Sequence, residues 1–242
     1  MKSVILAAGT ASRLRPLTDN TPKCLLDVGH KNILALTIDN ILANGISDII
    51  IVTGYLENKI KDFVAAYYPK LRVQYIYNSI YATTNNIYSL WLVKELVTGV
   101  DFLLMDSDII FDKSIITKLI HSPHKDCLAL KVQDVGEEEI KVKMDRHGRI
   151  LEISKEVNPK EAIGESIGIE KFGKELAAKL FAVMERKINV EKMVNQFYEA
   201  AFQELISNGE SIFAVDVSEF MCIEIDTASD LEVARKMVLK LT

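Results

Sequence analysis

The segment from Val4 to Lys23 constrains this chain more than any other. Val4 to Ala8 is a short apolar run of the kind that forms a buried parallel strand, and Gly9 stops it. A long polar loop follows, and it carries Arg13, Arg15, Thr18 and Lys23. Strand, glycine, small residues and then cations is the arrangement a phosphate cradle needs. Small side chains let backbone N–H groups approach an oxyanion, and the cations neutralise it. The whole chain carries a net charge of −5, so this loop is a local cationic site on an acidic protein. Neither G-x-x-x-x-G-K-[ST] nor G-x-G-x-x-G occurs, which excludes the two commonest phosphate fingerprints.

The rest of the chain supplies the frame. Ile33–Ala43 has helical apolar spacing and a stop at Asn44-Gly45. Asp48–Thr53 reads as the second buried strand, Leu56–Tyr67 as a helix ended by Pro69, and Val73–Tyr77 as the third strand. This alternation predicts a Rossmann-like α/β fold, a mainly parallel but mixed central sheet with helices on both faces. Asn78 to Asn86 is polar and opens a helix, Ile87–Lys94. It lies past a strand's carboxyl end, where ligands bind in such sheets. Asn78, Thr84, Asn85 and Asn86 can therefore share a crevice with the first loop, and amides can read the edge of a base. A helix N-terminus there would also offer free N–H groups.

Asp101–Met105 predicts a fourth strand that ends in Asp106-Ser107-Asp108. Paired carboxylates at such a place suit Mg2+ beside phosphates, since hard cations take oxygen ligands. One of the two aspartates is the expected ligand. Lys113–Ile120 reads as a helix and Cys127–Val132 as a strand. Then the pattern changes. Glu137–Met144 and Ile150–Lys155 alternate, with a hairpin turn at Asp145–Gly148. They predict a small antiparallel patch that covers a second substrate. Lys141 and Lys143 share one face of their strand and read as surface lysines. Gly164–Phe172 and Ser211–Val215 read as strands, and Gly173–Arg186 and Met193–Ser207 as amphipathic helices. Ile223–Thr227 meets a last helix, Ala228–Leu239, with Asp226 at the junction. A helix-capping role shared with Thr227 is one reading of Asp226.

Leu6-Ala-Ala-Gly9, Ser12-Arg13-Leu14 and Pro22-Lys23 together resemble the signature of nucleotidyltransferases that join an NTP to a phosphorylated small molecule. Across 1–242, read as one domain, the chain is similar to the bacterial phosphocholine cytidylyltransferase-like branch of the sugar-phosphate nucleotidyltransferases. Asn85–Lys94 and Ile223–Thr227 carry that likeness most closely. The resemblance implies CTP, Mg2+ and a small phosphorylated amino alcohol or aminophosphonate: phosphocholine, phosphoethanolamine or 2-aminoethylphosphonate. It places Leu6, Ala7, Ala8, Gly9, Thr10, Ala11 and Ser12 at the nucleotide, and Arg13 and Lys23 at the reacting phosphates. It assigns Asp108 and Asp226 to the metal, with Asp106 acting on the ion indirectly or through water. It implies that Lys155 holds the acceptor's phosphate and that Glu165 and Ser166 reach the rest of the acceptor, with Tyr88 a further candidate there. The family usually has glycine where this chain has Ala11, and alanine resists positive φ.

A quaternary ammonium wants an aromatic cage, and Val135–Lys143 contains no aromatic residue. It offers Glu137, Glu138 and Glu139, which with Glu165 can pair with a primary ammonium. Tyr88 and Phe220 are the remaining aromatic candidates, and Trp91 reads as core.

Composition narrows the alternatives. The acidic balance argues against nucleic acid as the main partner. No apolar run approaches the length of a membrane helix, and the run at Val4–Ala8 is too short for a signal peptide. Cys24, Cys127 and Cys222 are widely spaced, which disfavours a zinc site or disulfide framework and suits a reducing cytoplasm. Each reads as a small buried hydrophobe. The histidines show no ligand spacing. Two rival functions remain: a sugar-1-phosphate uridylyl- or thymidylyltransferase, and a non-catalytic nucleotide-binding module motivated by Ala11. Oligomeric state is not encoded legibly.

Overall fold

A computed structural model describes residues 1–238. Strand β1 (Lys2–Ala7) lies at the centre of a nine-stranded sheet. It pairs in parallel with β2 (Ile49–Thr53) on one side and β4 (Phe102–Asp106) on the other, and β2 pairs in parallel with β3 (Val73–Tyr77). Helix α1 (Ile33–Ala43) connects β1 to β2, and α2 (Glu57–Tyr67) connects β2 to β3. Both follow the expected βαβ pattern. Asn32 caps α1 by accepting the N–H of Ala35 at 2.8 Å.

Alternate residues of the central strands feed different cores. Val4, Leu6, Ile50, Val52, Phe102 and Leu104 face one apolar cluster. Ile5, Ala7, Ile49, Ile51, Leu103 and Met105 face another. Two buried faces explain why these strands are continuous apolar runs rather than alternating ones.

After β3 come α3 (Asn86–Trp91) and α4 (Lys94–Val97), so the single helix expected over Ile87–Lys94 is broken by a tight turn at Leu92-Val93. A short strand that the sequence reading missed, β5 (Ile109–Phe111), follows Asp108. Then come α5 (Ser114–Ile120) and β6 (Cys127–Val132). The antiparallel patch is β7 (Lys141–Met144) with β8 (Ile150–Ser154), joined to the main sheet through β9 (Gly164–Phe172). β9 runs antiparallel between β4 and β6. The last elements are α6 (Lys174–Glu185), α7 (Glu199–Ser207), β10 (Phe213–Asp216), β11 (Cys222–Glu224) and α8 (Ala228–Val238). β11 pairs with β5 in a second, two-stranded sheet. Leu239, the expected end of the last helix, lies outside the described residues.

Two expectations fail for physical reasons, and one alternative reading is removed. Residues 193–198 are not helical, because their backbone groups bond elsewhere. Val194 O accepts from Asn85 N–H, Gln196 O accepts from Ile87 N–H, and Tyr198 N–H donates to Asn86 Oδ1. The segment thus fills the amino end of α3, and the free N–H groups expected there are taken.

Residues 137–140 are not strand either. They wrap around Lys141, which is wholly buried rather than a surface lysine. Its ammonium donates to Gly136 O at 3.0 Å, Glu137 O at 3.1 Å and Glu139 O at 3.5 Å. The carbonyl dipoles replace water, which is what a buried cation requires.

The aspartate at the last helix is not its cap. Thr227 and Asp230 exchange hydrogen bonds, Thr227 N–H to Asp230 Oδ2 at 2.7 Å and Asp230 N–H to Thr227 Oγ1 at 3.2 Å. This reciprocal cap leaves the Asp226 carboxylate available. Cys24, Cys127 and Cys222 are all buried with free thiols. Among the described residues no helix is long and apolar enough to cross a membrane.

Candidate active site

The first loop leaves β1 and turns back at Ala11, whose φ of 46° and ψ of 47° are left-handed. Such a conformation costs alanine about 1–2 kcal/mol. Local bonds offset that strain. Ala11 O accepts from Thr18 Oγ1 at 2.9 Å and from Leu14 N–H at 3.0 Å. Thr18 is fully buried, and the Tyr55 hydroxyl donates to Thr18 O at 3.1 Å. The loop therefore keeps a glycine-like turn without glycine.

Gly54 provides the close approach on the other side. A Cβ there would lie 2.6 Å from Ala8 O and 2.7 Å from Tyr81 Cβ.

Between these walls lies a cleft of about 320 Å³, the size of a small-ligand site. Leu6, Ala7, Ala8, Gly9, Ala11, Arg13 and Lys23 line it from the first loop. Asn78, Thr84, Asn85 and Asn86 line it from beyond β3, and Asp106, Asp108 and Asp226 complete it. Thr10 and Ser12 lie on the loop but not on the cleft wall.

Asn78 acts as a brace. Its amide donates to Thr84 Oγ1 at 3.0 Å and to Ser89 Oγ at 3.1 Å, and its carbonyl accepts from Ile80 N–H at 3.1 Å. Asn85 caps α3, its Oδ1 accepting the N–H of Asn86 at 2.8 Å.

At the cleft's centre, Lys23 Nζ donates to Asp108 Oδ2 at 2.7 Å and to Asp226 Oδ1 at 2.9 Å. Arg13 lies 3.2 Å from the other Asp226 oxygen. Burial works against the Lys23 charge, but the two carboxylates outweigh it and raise its pKa. The same balance holds Asp226 low. Burial would raise it, and Lys23 and Arg13 more than reverse that.

Glu224, which the sequence reading missed, joins this cluster. Ligand oxygens of Asp108, Glu224 and Asp226 lie within 4.8 Å of one another. Repulsion from Asp108 and Asp226 raises the Glu224 carboxyl, and because the side chain is exposed to solvent, water moderates that rise. The signal was present, since Glu224 and Asp226 are two residues apart and alternation puts them on one side. Asp108 Oδ1 is buried and has no partner. Three convergent carboxylates with an orphaned oxygen fit a hard divalent cation.

The acceptor side is less complete. Lys155 is outside the cleft wall. Its ammonium stands 5.1 Å from the Phe197 ring centre and 3.2 Å from Glu138. Its charge nevertheless lowers the pKa of both Asp226 and Glu199.

Phe197 lines the cleft. It was hidden because the surrounding residues read as helix. Tyr81 and Ser107 were missed as well.

Tyr88 instead packs against the core, its ring tilted and 5.4 Å from that of Trp91. Phe220 lies under Lys118, away from the cleft. Glu165 accepts from Gln133 at 2.8 Å, and the Ser166 hydroxyl faces Glu170 at 3.5 Å. None of Glu137, Glu138 and Glu139 reaches the cleft wall.

The strand order, the cationic loop and the carboxylate cluster define a nucleotidyltransferase-type site at the carboxyl edge of a parallel sheet. Residues 2–154 match the Nucleotidyl transferase family, and the chain belongs to it. It is 29% identical to CTP:phosphoglutamine cytidylyltransferase of Campylobacter jejuni, over 96% of this chain and 98% of that protein. A 95-residue stretch is 46% identical to choline-phosphate cytidylyltransferase of Streptococcus pneumoniae, covering 39% of this chain and 40% of that one. The fold also matches the solved CTP:phosphocholine cytidylyltransferase of Streptococcus pneumoniae with a TM-score of 0.80. That match is 24% identical and covers 98% of each chain.

Proposed function

We propose that this nucleotidyltransferase is a Mg2+-dependent cytidylyltransferase that joins CTP to a small phosphorylated or phosphonylated amine and releases pyrophosphate. One observation carries the reading. Lys23, Asp108 and Asp226, separated by 85 and 203 positions in the chain, meet at hydrogen-bond distance beside a backbone turn suited to phosphates. The relatives whose names specify CTP support the choice of nucleotide.

The acceptor's phosphate oxygen attacks the α-phosphorus of CTP. A new P–O bond forms, the bond to the β-phosphate breaks, and pyrophosphate leaves with the electron pair. No general base is needed, because a phosphate monoester is largely ionised near neutral pH, with its second pKa near ~6. The protein's task is to bring two anions together and stabilise the transferring group.

The backbone of Leu6 to Ala11 faces the nucleotide. Arg13 and Lys23 offset charge on the triphosphate. Lys155 draws the acceptor's phosphate in line with the α-phosphorus. Asp108, Asp226 and Glu224 would hold the magnesium, with Asp106 acting on it only indirectly. When bound, the ion supplies charge neutralisation and a template for the reacting oxygens.

The decisive assay follows pyrophosphate release with CTP, UTP, dTTP and ATP against a panel of acceptors. CTP with a small amine-bearing phosphate is the expected best pair. A preference for UTP or dTTP with a hexose 1-phosphate overturns the reading.

A further inference from the structure

Asp226 reaches the carboxylate cluster from the junction of β11 and α8, and its backbone is tied on both sides. Ile225 N–H donates to Asp108 O at 3.0 Å. The strand that delivers Asp226 is therefore fastened to the residue its carboxylate has to meet. Ile225 is wholly buried, in an apolar cluster with Leu14 and Leu231. Asp230 makes the second tie. One of its oxygens, Oδ2, accepts from Asp226 N–H at 3.1 Å, from Thr227 N–H at 2.7 Å and from the Thr227 hydroxyl at 2.8 Å. The bond from Asp226 N–H is additional to the reciprocal cap between Thr227 and Asp230.

The place of Asp226 in the chain gives that extra bond its weight. Aspartate is among the strongest helix-capping residues, and α8 begins at Ala228, two residues on. The Asp226 carboxylate thus has two competing sets of partners. One is the free N–H groups in the first turn of α8. The other is Lys23 at 2.9 Å and Arg13 at 3.2 Å. A helix that began one residue earlier would recruit Asp226 as its cap and turn the carboxylate away from Lys23. Thr227 and Asp230 fix the start by exchanging bonds, and Asp230 also holds the Asp226 backbone outside the helix.

We propose that Asp230 is a positioning residue for the reaction. By binding the N–H groups of Asp226 and Thr227, it keeps the Asp226 carboxylate turned toward Lys23, Asp108 and the cation that they and Glu224 would share. The inference rests on the transferase reading and adds a residue to that same site. Asp230 does not line the cleft, and it is not among the acids whose oxygens converge there. Its effect therefore runs through Asp226. Removing a group bonded to a metal ligand typically costs 10–100-fold in metal affinity.

The test reads cation binding directly. Mn2+ is titrated into the full chain with CTP bound and no acceptor present, and binding is followed by electron paramagnetic resonance. Asp230→Ala is expected to weaken Mn2+ by about tenfold or more. Asp230→Asn keeps an oxygen that accepts the same N–H groups, and it should stay within about threefold of the wild-type chain, since only the charge is lost. Asp101→Ala is the matched control. Asp101 accepts Lys174 N–H at 2.9 Å at the start of α6, beside the amino end of β4 and away from the cleft. Both alanine variants should lower the thermal midpoint by about 2–4 °C, the usual cost of a lost cap, but Asp101→Ala should leave Mn2+ binding unchanged. In turnover, Asp230→Ala should raise the Mg2+ concentration for half-activity about tenfold while the acceptor's KM stays within about twofold. Where Asp230→Ala fails to fold, Asp230→Ser replaces it, because its hydroxyl ends one bond short of the aspartate oxygens.

Unchanged Mn2+ affinity in the folded Asp230 variants overturns the proposal. An equal loss in Asp230→Asn also overturns it and assigns the effect to charge alone. An equal loss in Asp101→Ala overturns it in favour of general loosening. Asp226→Asn separates the two readings. If that variant binds Mn2+ as the wild-type chain does, the metal assignment in the transferase reading fails, whatever Asp230 does.

Discussion

Asp106 and Asp108 sit two residues apart at the end of one strand, and they belong to opposite electrostatic regimes. On the Asp108 side, Lys23 and Arg13 meet the carboxylates at 2.7–3.2 Å, and Asp226 is held below its ordinary range. On the Asp106 side the partners are Tyr198, Glu170 and Glu199. Burial, reinforced by Asp108 and Glu199, pushes Asp106 well above that range, and Glu199 stands at about 7, mainly through burial. β4 ends at Asp106 and the chain bends at Ser107-Asp108, which separates the two side chains, and the neighbours then decide their charge. Identical residue types two positions apart thus carry different chemistry.

The largest effect expected on the Asp108 side is loss of the metal. Chelation with EDTA should reduce pyrophosphate release to background, and added Mg2+ should restore it. Full activity after exhaustive chelation breaks the metal assignment of Asp108, Asp226 and Glu224.

Next is Lys23→Ala, which should lower turnover by about 10²–10³-fold, the usual effect of removing one preorganised charge-stabilising donor. Steady-state kinetics beside a thermal melt measure this, and the loss in turnover should far exceed the loss in stability. An active Lys23→Ala enzyme contradicts the site.

The Asp106 side is sharpened by pH. Glu199 has a pKa of about 7 folded against 4.5 in a free side chain. Below 4.5 it is protonated in both states and contributes no difference. As pH climbs to 7 and beyond, the unfolded chain ionises freely while the folded one is penalised, so stability falls across that window. The full loss is about 3 kcal/mol at most. Burial sets most of its size and the Lys155 charge opposes it, with Asp106, Glu170 and Tyr198 the titratable groups that Glu199 in turn affects. Urea midpoints between pH 5 and pH 8 should slope downward in the wild-type chain and less steeply in Glu199→Gln. Equal slopes contradict the assignment.

The smallest effect is expected for Ala11→Gly. Relief of left-handed strain and extra unfolded-state entropy nearly cancel, leaving stability within about 0.5 kcal/mol. Turnover should stay within about twofold, since less than about 0.5 kcal/mol is at stake. A collapse of activity would show that the Thr18 brace does not substitute for glycine.

The central strands were legible because each is an uninterrupted apolar run buried on both faces. The cationic loop was legible because glycine, small residues and cations follow one another in the chain. Lys141 was misread because its burial depends on three carbonyls of the loop before it, contacts that periodicity does not register. Residues 193–198 were misread because their hydrogen bonds go to residues 85–87, more than a hundred positions away. Phe197, which lines the cleft, was lost with them.

By itself the sequence determined the α/β alternation, the tight cationic turn after the first strand and the residue types available to hold a cation, because local propensity and spacing are carried by near neighbours. Only the tertiary structure decided which carboxylates are neutralised and which are stranded. Charge state depends on distance in space, and Lys23 reaches Asp226 across 203 positions while Asp106, two residues from Asp108, faces other acids.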